Sequence, residues 1–145
     1  MNNEVEILLV EDNMEDAELT IYSLKKINLA NNLHHVLDGS EALEFIFAQG
    51  QYSERAGQKK PKVILLDIKM PKIDGIQVLK QLKSNIATKA IPVVIMTSSK
   101  EEQDVITSYN LGVNSYIVKP INIEGFVKAV SQLGLYWLII NQTSQ

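Results

Sequence analysis

Short apolar runs alternate along the chain with segments in which apolar residues recur every three or four positions. The runs have the length of buried strands, and the segments between them have the period of amphipathic helices. The pattern predicts strands at Val5–Val10, Leu33–Leu37, Val63–Leu66, Pro92–Met96 and Ser115–Val118. It predicts helices that begin near Asn13, Ser40, Ile76, Lys100 and Asn122. The polar stretch Gln49–Lys60 is predicted to be a long loop.

These five alternations predict an α/β fold, a doubly wound five-stranded parallel sheet with helices on both faces. We expect residues 1–145 to form a single domain, because no linker or repeat interrupts the pattern and no output domain follows the last helix. A domain of this size buries a sizeable core without disulfides or a structural metal. Ligands of such sheets bind at the carboxyl ends of the strands, so we expect the chemistry at that edge.

Composition excludes several classes of function. The chain has no cysteine, which excludes disulfides, thiolate zinc sites and a cysteine nucleophile. Acidic and basic residues are mixed at a net charge of -3, without the basic stripe that is typical of nucleic-acid binding. The longest apolar run, Leu135–Ile140, is much shorter than the ~20 residues of a membrane span, and the N-terminus lacks a secretory signal. We therefore expect a cytoplasmic protein that binds neither nucleic acid nor membranes.

Chemically active side chains follow four of the five predicted strands. They are Glu11 and Asp12 after the first strand, Asp67 after the third, Thr97 after the fourth and Lys119 after the fifth. Carboxylates that meet at one edge repel one another unless a cation neutralises them. Mg²⁺ prefers such oxygen ligands, and with an ammonium and a hydroxyl it would orient a phosphoryl group. Asp67 is the best candidate nucleophile, because its strand is central and the other two acids adjoin each other.

Each of these residues also has an ordinary structural interpretation. An aspartate after a strand is common in turns, and Glu11–Asp12 before a helix would compensate the helix dipole. Thr97 can cap the next helix, and Lys119–Pro120 can be a simple strand exit. The second strand ends at Leu37–Gly39, which is read as a plain turn. The joint occurrence of the other residues at successive strand ends favours a functional site.

The ordered motifs resemble those of the receiver domains of two-component response regulators, over nearly the whole chain. The matching segments are Val10–Asn13, Leu66–Pro71, Asp74–Gly75, Thr97–Ser98 and Tyr116–Pro120. The resemblance implies the flavodoxin-like (βα)5 receiver fold and a phosphorylation-dependent switch in a two-component phosphorelay. It also implies that the chain is not an enzyme beyond accepting the phosphoryl group and hydrolysing it.

The resemblance implies a role for each matched residue. Asp67 is expected to accept a phosphoryl group from a sensor histidine kinase, and Lys119 is expected to pair with that group. The expected Mg²⁺ ligands are Asp12, Asp67 and the backbone carbonyl of Lys69, with Glu11 acting through water. The expected switch residues are Thr97 and Tyr116, and the expected tuning residues for phosphoryl lifetime are Lys69 and Ser99.

The last helix carries more apolar surface than one domain is expected to cover. Phe126, Val130, Leu133 and Trp137 share the face that would pack on the sheet. The predicted interface residues are Val127, Leu135, Tyr136, Leu138 and Ile139. Exposed apolar patches usually mark interfaces, so we expect a homodimer through the helix at 100–111, the fifth strand and the last helix.

A different arrangement of this end is also open, in which the helix end folds under the loop Gln49–Lys60. That long loop and the aromatic tail resemble the small single-domain regulators paired with bacteriophytochrome-type kinases. The resemblance therefore implies a phytochrome-type kinase as the phosphoryl donor.

Two alternatives to the phosphorylation switch remain open. A Mg²⁺-dependent phosphatase of the aspartyl-phosphate class would need a second aspartate where Lys69 stands. A receiver-like interaction domain that is not phosphorylated would not need the complete set of strand-end residues. A nucleotide-binding domain is poorly supported, because the glycine-rich loops are missing. His34 and His35 are interpreted as structural, since adjacent strand residues point to opposite faces.

Overall fold

The computed structural model describes residues 5–27, 32–68, 74–97, 115–119 and 121–134. Within these ranges the strands are β1 (Ile7–Val10), β2 (Leu33–Val36), β3 (Val63–Asp67), β4 (Val93–Thr97) and β5 (Ser115–Val118). The helices are α1 (Met14–Lys25), α2 (Gly39–Phe47), a 3₁₀ helix (Gly50–Arg55), α3 (Gly75–Ser84) and α4 (Ile123–Gln132). The helix predicted to begin near Lys100 lies outside the described residues. Among the helices that are described, none has the length and apolar character needed to cross a membrane.

The strands form one parallel sheet in the order β2-β1-β3-β4-β5. The strand order reverses beside β1, which is the point where ligands bind in folds of this kind. Val10 is opposite Leu66 and Thr97 is opposite Val118, so the strands end at a common edge. The predicted α/β class and five-stranded parallel sheet are confirmed.

The core lies on both faces of the sheet, because successive side chains of a strand point to opposite sides. Leu8 and Val10 of β1 pack in a cluster with residues of α2 and α3, whereas Ile7 and Leu9 pack in a cluster with residues of α1 and α4. All four side chains are fully buried. Burial on both faces explains why the strands appear in the sequence as continuous apolar runs.

Each described α-helix begins at a side chain that caps its first turn. The capping residues are Asn13 for α1, Asp38 for α2, Asp74 for α3 and Asn122 for α4. The caps at Asn13 and Asn122 agree with the predicted helix starts. The sequence pattern predicts a plain turn at Asp38, but its side chain accepts a hydrogen bond from the amide of Glu41. The cap therefore also fixes the chain where it leaves β2.

The segment Gln49–Lys60 is more regular than its polarity suggests. Gly50–Arg55 forms a 3₁₀ helix, and two of its side chains contact Phe45 of α2. The sequence gives little sign of this helix, because its polar residues show no apolar period. The insertion between α2 and β3 is thus partly ordered by contacts with the preceding helix.

Candidate functional site

The side chains predicted at the strand ends converge at the carboxyl edge of the sheet. Asp67 and Thr97 are the last residues of β3 and β4, Glu11 directly follows β1, and Lys119 directly follows β5. Glu11 and Thr97 are fully buried and Asp67 is 4% exposed, whereas the neighbouring Asp12 is exposed. The edge therefore combines a buried acid pair with an acid that is open to solvent.

Glu11, Asp12 and Asp67 form an acidic cluster, in which one carboxylate oxygen of each residue lies within 4.8 Å of the others. Hard divalent cations take oxygen ligands and commonly keep waters in the remaining positions of an octahedral shell. Because Asp12 is exposed, a cation at this cluster could keep water or take a phosphoryl oxygen on the solvent side. The residue types and their spacing therefore fit a divalent cation.

Lys119 supplies a positive charge to the acidic cluster. Its Nζ lies 2.8 Å from Glu11 Oε1 and 3.2 Å from Asp67 Oδ2. The same atom lies 3.3 Å from Asp16 Oδ2, in the first turn of α1. Asp16 was not predicted as a site residue, because an acid in the first turn of a helix is expected to compensate the helix dipole. The ammonium group thus joins α1 to the ends of β1, β3 and β5.

The buried acids are incompletely neutralised. Burial raises the pKa of Asp67 to about 8, and the hydrogen bond and negative charge of Glu11 act in the same direction, while Lys119 opposes them. Burial alone would lower the pKa of Lys119, but its hydrogen bond with Glu11 and the charge of Asp67 leave that pKa raised. Asp67 therefore favours either a proton or a further cation.

Backbone hydrogen bonds hold Glu11 in place. Its amide donates to Val36 O at 3.1 Å, and the amide of Asn13 donates to Glu11 Oε2 at 3.1 Å. His35 Nε2 donates to the carbonyl oxygen of Glu11 at 2.8 Å. His34, on the other side of the strand, stacks on Phe45. The two adjacent histidines thus have different neighbours, as expected for consecutive strand residues.

The first residue of α3 lies against the end of β3. A Cβ atom on Gly75 would be 2.5 Å from Asp67 O and 2.8 Å from Ile68 Cα, which is closer than such atoms approach. The amide of Gly75 donates to Ile68 O at 3.2 Å. Asp74 and Gln77 form a capping box around the same turn. The Asp74–Gly75 motif is therefore explained by a close approach of two backbones.

The predicted switch residues lie on neighbouring strands. Thr97 directly follows Met96, which is opposite Asp67, and Thr97 Oγ1 is buried without a hydrogen-bond partner among the residues that the structure describes. A buried hydroxyl in this state costs free energy that a suitable acceptor would recover. Tyr116 is half-buried and packs against the core cluster beside α2 and α3. Thr97 thus has an unused donor at the edge that carries Asp67.

Several predicted residues cannot be placed, because they lie outside the described ranges. They are Lys69, Ser99, Leu135, Tyr136, Leu138 and Ile139. Val127 is described, and it is half-buried against the core cluster beside α1 and α4. Val127 therefore packs at least partly within its own domain.

A second polar cluster, which the sequence did not indicate, lies beside β2. The rings of His34 and Phe45 stack with centroids 4.4 Å apart, and Tyr52 meets both rings edge-on. The Arg55 guanidinium lies 3.8 Å from the centroid of Phe45. The Tyr52 hydroxyl donates to Glu41 Oε2 at 2.6 Å and accepts from His34 Nε2 at 3.0 Å. We call these five residues the aromatic cluster; they join the 3₁₀ helix to β2 and α2.

Comparison with known proteins agrees with this geometry. The family profile described as the response regulator receiver domain matches residues 7–131. Response regulator Rcp1 of Synechocystis sp. is 41% identical over 132 residues, which cover 91% of this chain and 88% of Rcp1. A structure of Rcp1 with Mn²⁺ bound superposes with a TM-score of 0.69 and 40% identity, over 91% of this chain and 93% of that one.

Two further solved structures are similar over most of their length. The bacteriophytochrome response regulator AtBRR superposes with a TM-score of 0.87 and 47% identity, over 94% of this chain and 96% of that one. The phosphorylated cyanobacterial phytochrome response regulator RcpA superposes with a TM-score of 0.72 and 37% identity, over 93% of this chain and 94% of that one. The chain therefore belongs to the response regulator receiver domain family, the phosphorylation-dependent signalling switches of two-component systems.

Proposed function

We propose that Asp67 is the phospho-acceptor of this receiver domain and that a sensor histidine kinase is the donor. The observation that carries the proposal is the acidic cluster of Glu11, Asp12 and Asp67, with the Lys119 ammonium 3.2 Å from Asp67 Oδ2. Asp67 ends the central strand of the sheet, at the edge where parallel α/β folds bind ligands. The arrangement supplies a carboxylate nucleophile and positive charge for the incoming group.

In the proposed reaction, a carboxylate oxygen of Asp67 attacks the phosphorus atom of a phosphohistidine. The new P–O bond forms as the P–N bond breaks, and the histidine nitrogen leaves and takes up a proton. Lys119 neutralises charge on the phosphoryl oxygens. Attack by water later returns the aspartate and inorganic phosphate. The catalysis carried out by this chain is proposed to be limited to these two steps.

The proposed cofactor is Mg²⁺. Its protein ligands would be Asp12, Asp67 and the backbone carbonyl of Lys69, which lies outside the described residues, and Glu11 would act through water. When bound, the cation would orient the phosphoryl oxygens and spread their charge. The raised pKa of Asp67, caused by burial and by Glu11, supports the proposal because an added positive charge would keep this acid ionised. The Mn²⁺-bound structure of the related Rcp1 gives further support.

Thr97 and Tyr116 are proposed to convert phosphorylation into a change of surface. The buried Thr97 hydroxyl would donate to a phosphoryl oxygen and thereby gain the acceptor that it lacks among the described residues. Tyr116 would follow into the space beside it. The phosphoryl group would thus stabilise one of two existing arrangements. The surface that a partner reads would comprise β5, α4 and residues 100–111.

The proposed donor is a phytochrome-type kinase, and the proposed location is the cytoplasm. The similarity to AtBRR, a bacteriophytochrome response regulator, supports this donor, as does the similarity to the phytochrome response regulator RcpA. Mixing the protein with candidate kinases and a limiting amount of ATP would identify the donor by its rate of transfer. Equal rates for phytochrome-type and unrelated kinases would contradict the proposal.

Intact mass spectrometry tests the acceptor. Wild type, Asp67→Asn and Asp38→Asn are incubated with acetyl phosphate and Mg²⁺. Asp38 caps α2 and is not a member of the acidic cluster, and asparagine caps equally well, so this variant controls for loss of an acid. We expect one added phosphoryl group in wild type and Asp38→Asn, and none in Asp67→Asn or with EDTA. An adduct on Asp67→Asn, or none on wild type with any donor or metal, would contradict the proposal.

Lys69 and Ser99 are proposed to tune how long the phosphoryl group persists, because a cation and a hydroxyl two residues after Asp67 and Thr97 would lie near the attacking water. The test compares loss of the phosphoryl group from wild type, Lys69→Ala and Ser99→Ala after the donor is removed. Equal half-lives for the three proteins would refute the tuning role.

A homodimer through β5, α4 and residues 100–111 is also proposed, with Val127, Leu135, Tyr136, Leu138 and Ile139 at the interface. The support is the apolar character of the sequence after α4. Sedimentation at micromolar concentration, with and without phosphorylation, tests it. A monomer in both states would rule out this dimer at those concentrations.

A further inference from the structure

Asp16 forms an ion pair with Lys119 but is not a member of the acidic cluster. Lys119 Nζ lies between Glu11 Oε1 and Asp67 Oδ2 on the inner side, at 2.8 and 3.2 Å, and Asp16 Oδ2 on the outer side, at 3.3 Å. The side chains of Glu11 and Asp67 are almost completely buried, whereas that of Asp16 is 36% exposed. The ammonium is therefore shared between two buried acids and one that solvent reaches.

The backbone of Asp16 is fixed from both directions. Its amide donates to Asn13 Oδ1 at 2.9 Å, and its carbonyl accepts from Thr20 Oγ1 at 2.9 Å. The amide of Asn13 in turn donates to Glu11 Oε2 at 3.1 Å. The turn that presents Asp16 is thus anchored to the same glutamate that pairs with Lys119. This anchoring places the Asp16 carboxylate beside the ammonium in a defined position.

The charge balance of the site changes on phosphorylation. Before transfer, Asp67 contributes at most one negative charge to the surroundings of Lys119, whereas an aspartyl phosphate carries a charge near -2 with several acceptor oxygens. The ammonium would then be drawn inward, away from Asp16. The negative charge of Asp16 attracts the ammonium outward, and it would also repel a phosphoryl group on Asp67, because both acids lie against the same ammonium.

We propose that Asp16 is a positioning residue for Lys119, which holds the ammonium at the outer side of the site and competes for it with the phosphoryl group. The inference rests on the proposed function, in that it assumes Asp67 to be the acceptor. It assigns to the first turn of α1 a role in setting how readily the site takes a phosphoryl group. Removing the Asp16 charge should therefore favour phosphorylation.

Glu15 provides a matched control, because it is an exposed acid in the same first turn of α1. Substitution of either acid by its amide removes one negative charge near the helix N-terminus, so both variants have the same effect on the helix dipole. The ion pair with Lys119 belongs to Asp16. Asp16→Asn and Glu15→Gln thus separate the specific contact from the general charge. Asp16→Glu, which keeps the charge, should behave like wild type.

The first measurement is the ¹H–¹⁵N signal of the Lys119 ammonium in the unphosphorylated protein with Mg²⁺. We expect Asp16→Asn to shift this signal and Glu15→Gln to leave it unchanged. The second measurement is the acetyl phosphate concentration that gives half phosphorylation. We expect Asp16→Asn to lower it about two- to five-fold, the range for a partly exposed ion pair, and the difference to shrink at high salt.

The two measurements distinguish failure of this inference from failure of the proposed function. Equal ammonium signals in Asp16→Asn and Glu15→Gln would overturn the positioning role. A shifted signal with an unchanged or higher half-phosphorylation concentration would overturn the competition. Failure of wild type to be phosphorylated at all would overturn the proposed function, while the ammonium signal would still report the contact between Asp16 and Lys119.

Discussion

The acidic cluster and the aromatic cluster both place polar groups in partly buried positions, but they differ in how those groups are paired. In the aromatic cluster, the Tyr52 hydroxyl lies between Glu41 and His34 with hydrogen bonds of 2.6 and 3.0 Å. In the acidic cluster, the acids Glu11 and Asp67 share one ammonium. In the aromatic cluster one hydroxyl pairs with both the Glu41 carboxylate and the His34 ring, whereas the acidic cluster retains excess negative charge.

The difference indicates that the acidic cluster is the one that binds ligands. Electrostatic conflict in a folded protein reduces stability, so it persists where function requires it. The hydrogen bonds and ring contacts of the aromatic cluster contribute to the fold. The acid pair beside Lys119 gains from a cation or a phosphoryl group. We therefore expect substitutions in the aromatic cluster to alter stability, and those in the acidic cluster to alter chemistry.

Phe45→Ala should produce the largest loss of stability. The side chain is 2% exposed and lies between the His34 ring and the Arg55 guanidinium. Its removal leaves a cavity, and we expect the free energy of unfolding to fall by about 3–5 kcal/mol. Urea denaturation measures the change. The folded fraction should still take a phosphoryl group, and a loss of phosphorylation in folded protein would break the proposed separation of the two clusters.

Asp67→Asn should abolish phosphorylation and yet stabilise the metal-free protein at pH 8, by about 1–3 kcal/mol, because the amide removes the cost of burying a carboxylate charge. The pKa of Asp67 is raised from 3.8 to about 8 by burial and by Glu11. Between those values the folded protein keeps a proton that the unfolded chain has released, so stability falls as pH rises through the window. Urea titrations in EDTA at pH 5, 6.5 and 8 measure this slope.

The fall of stability with rising pH that we expect in wild type should be absent in Asp67→Asn. Mg²⁺ should reduce it in wild type. Asp38→Asn is the control, because it removes an acid but leaves the acidic cluster intact. Parallel curves for wild type and Asp67→Asn would contradict the assignment of the slope to this acid.

Tyr52→Phe should cost about 1 kcal/mol, the typical net contribution of a hydrogen bond. The substitution keeps the ring contacts with His34 and Phe45 but removes the hydroxyl between Glu41 and His34. Urea denaturation measures the loss, and Tyr22→Phe, at an exposed position on α1, is the control. An unchanged midpoint would show that the hydroxyl does not stabilise the 3₁₀ helix.

His34→Gln should have the smallest effect, visible in the pH dependence. Burial lowers the pKa of His34 below 6.5, helped by Arg55 and His35 and opposed by Glu41. Below 6.5 the unfolded chain therefore binds more protons than the folded protein, so stability is lost as pH falls. This slope is opposite to that of Asp67, so it is measured in Asp67→Asn, where urea midpoints between pH 5 and 6.5 should depend less on pH once His34 is also replaced by glutamine. An equally steep decline would contradict this role.

The strands were predictable because burial on both faces leaves a strong mark in the sequence. The run before Asp67 is continuous and apolar, and its strand is central in the sheet. Cap residues such as Asn13 were also recognisable, since their chemistry is local. The 3₁₀ helix was not, because Tyr52 and Arg55 gain their order from Phe45, a contact that polarity alone does not reveal.

The site was predictable as far as it follows directly from strand ends. Glu11, Asp67 and Lys119 converge because parallel strands end at one edge. Asp16 escaped prediction because it lies on a helix, 103 residues from Lys119, and its position had a sufficient local explanation. The donation from His35 to the Glu11 carbonyl was hidden for a similar reason, since strand pairing brings the residues together.

The contact between Gly75 and the end of β3 has a mechanical consequence. A Cβ at this position would lie 2.5 Å from Asp67 O, so there is no free space between the strand and the first turn of α3. We therefore expect a displacement of the Asp67 backbone toward α3 to move the first turn of that helix as well. A designer who wished to uncouple α3 from the switch would have to lengthen the turn between them, because no exchange of side chains at position 75 can create the missing space.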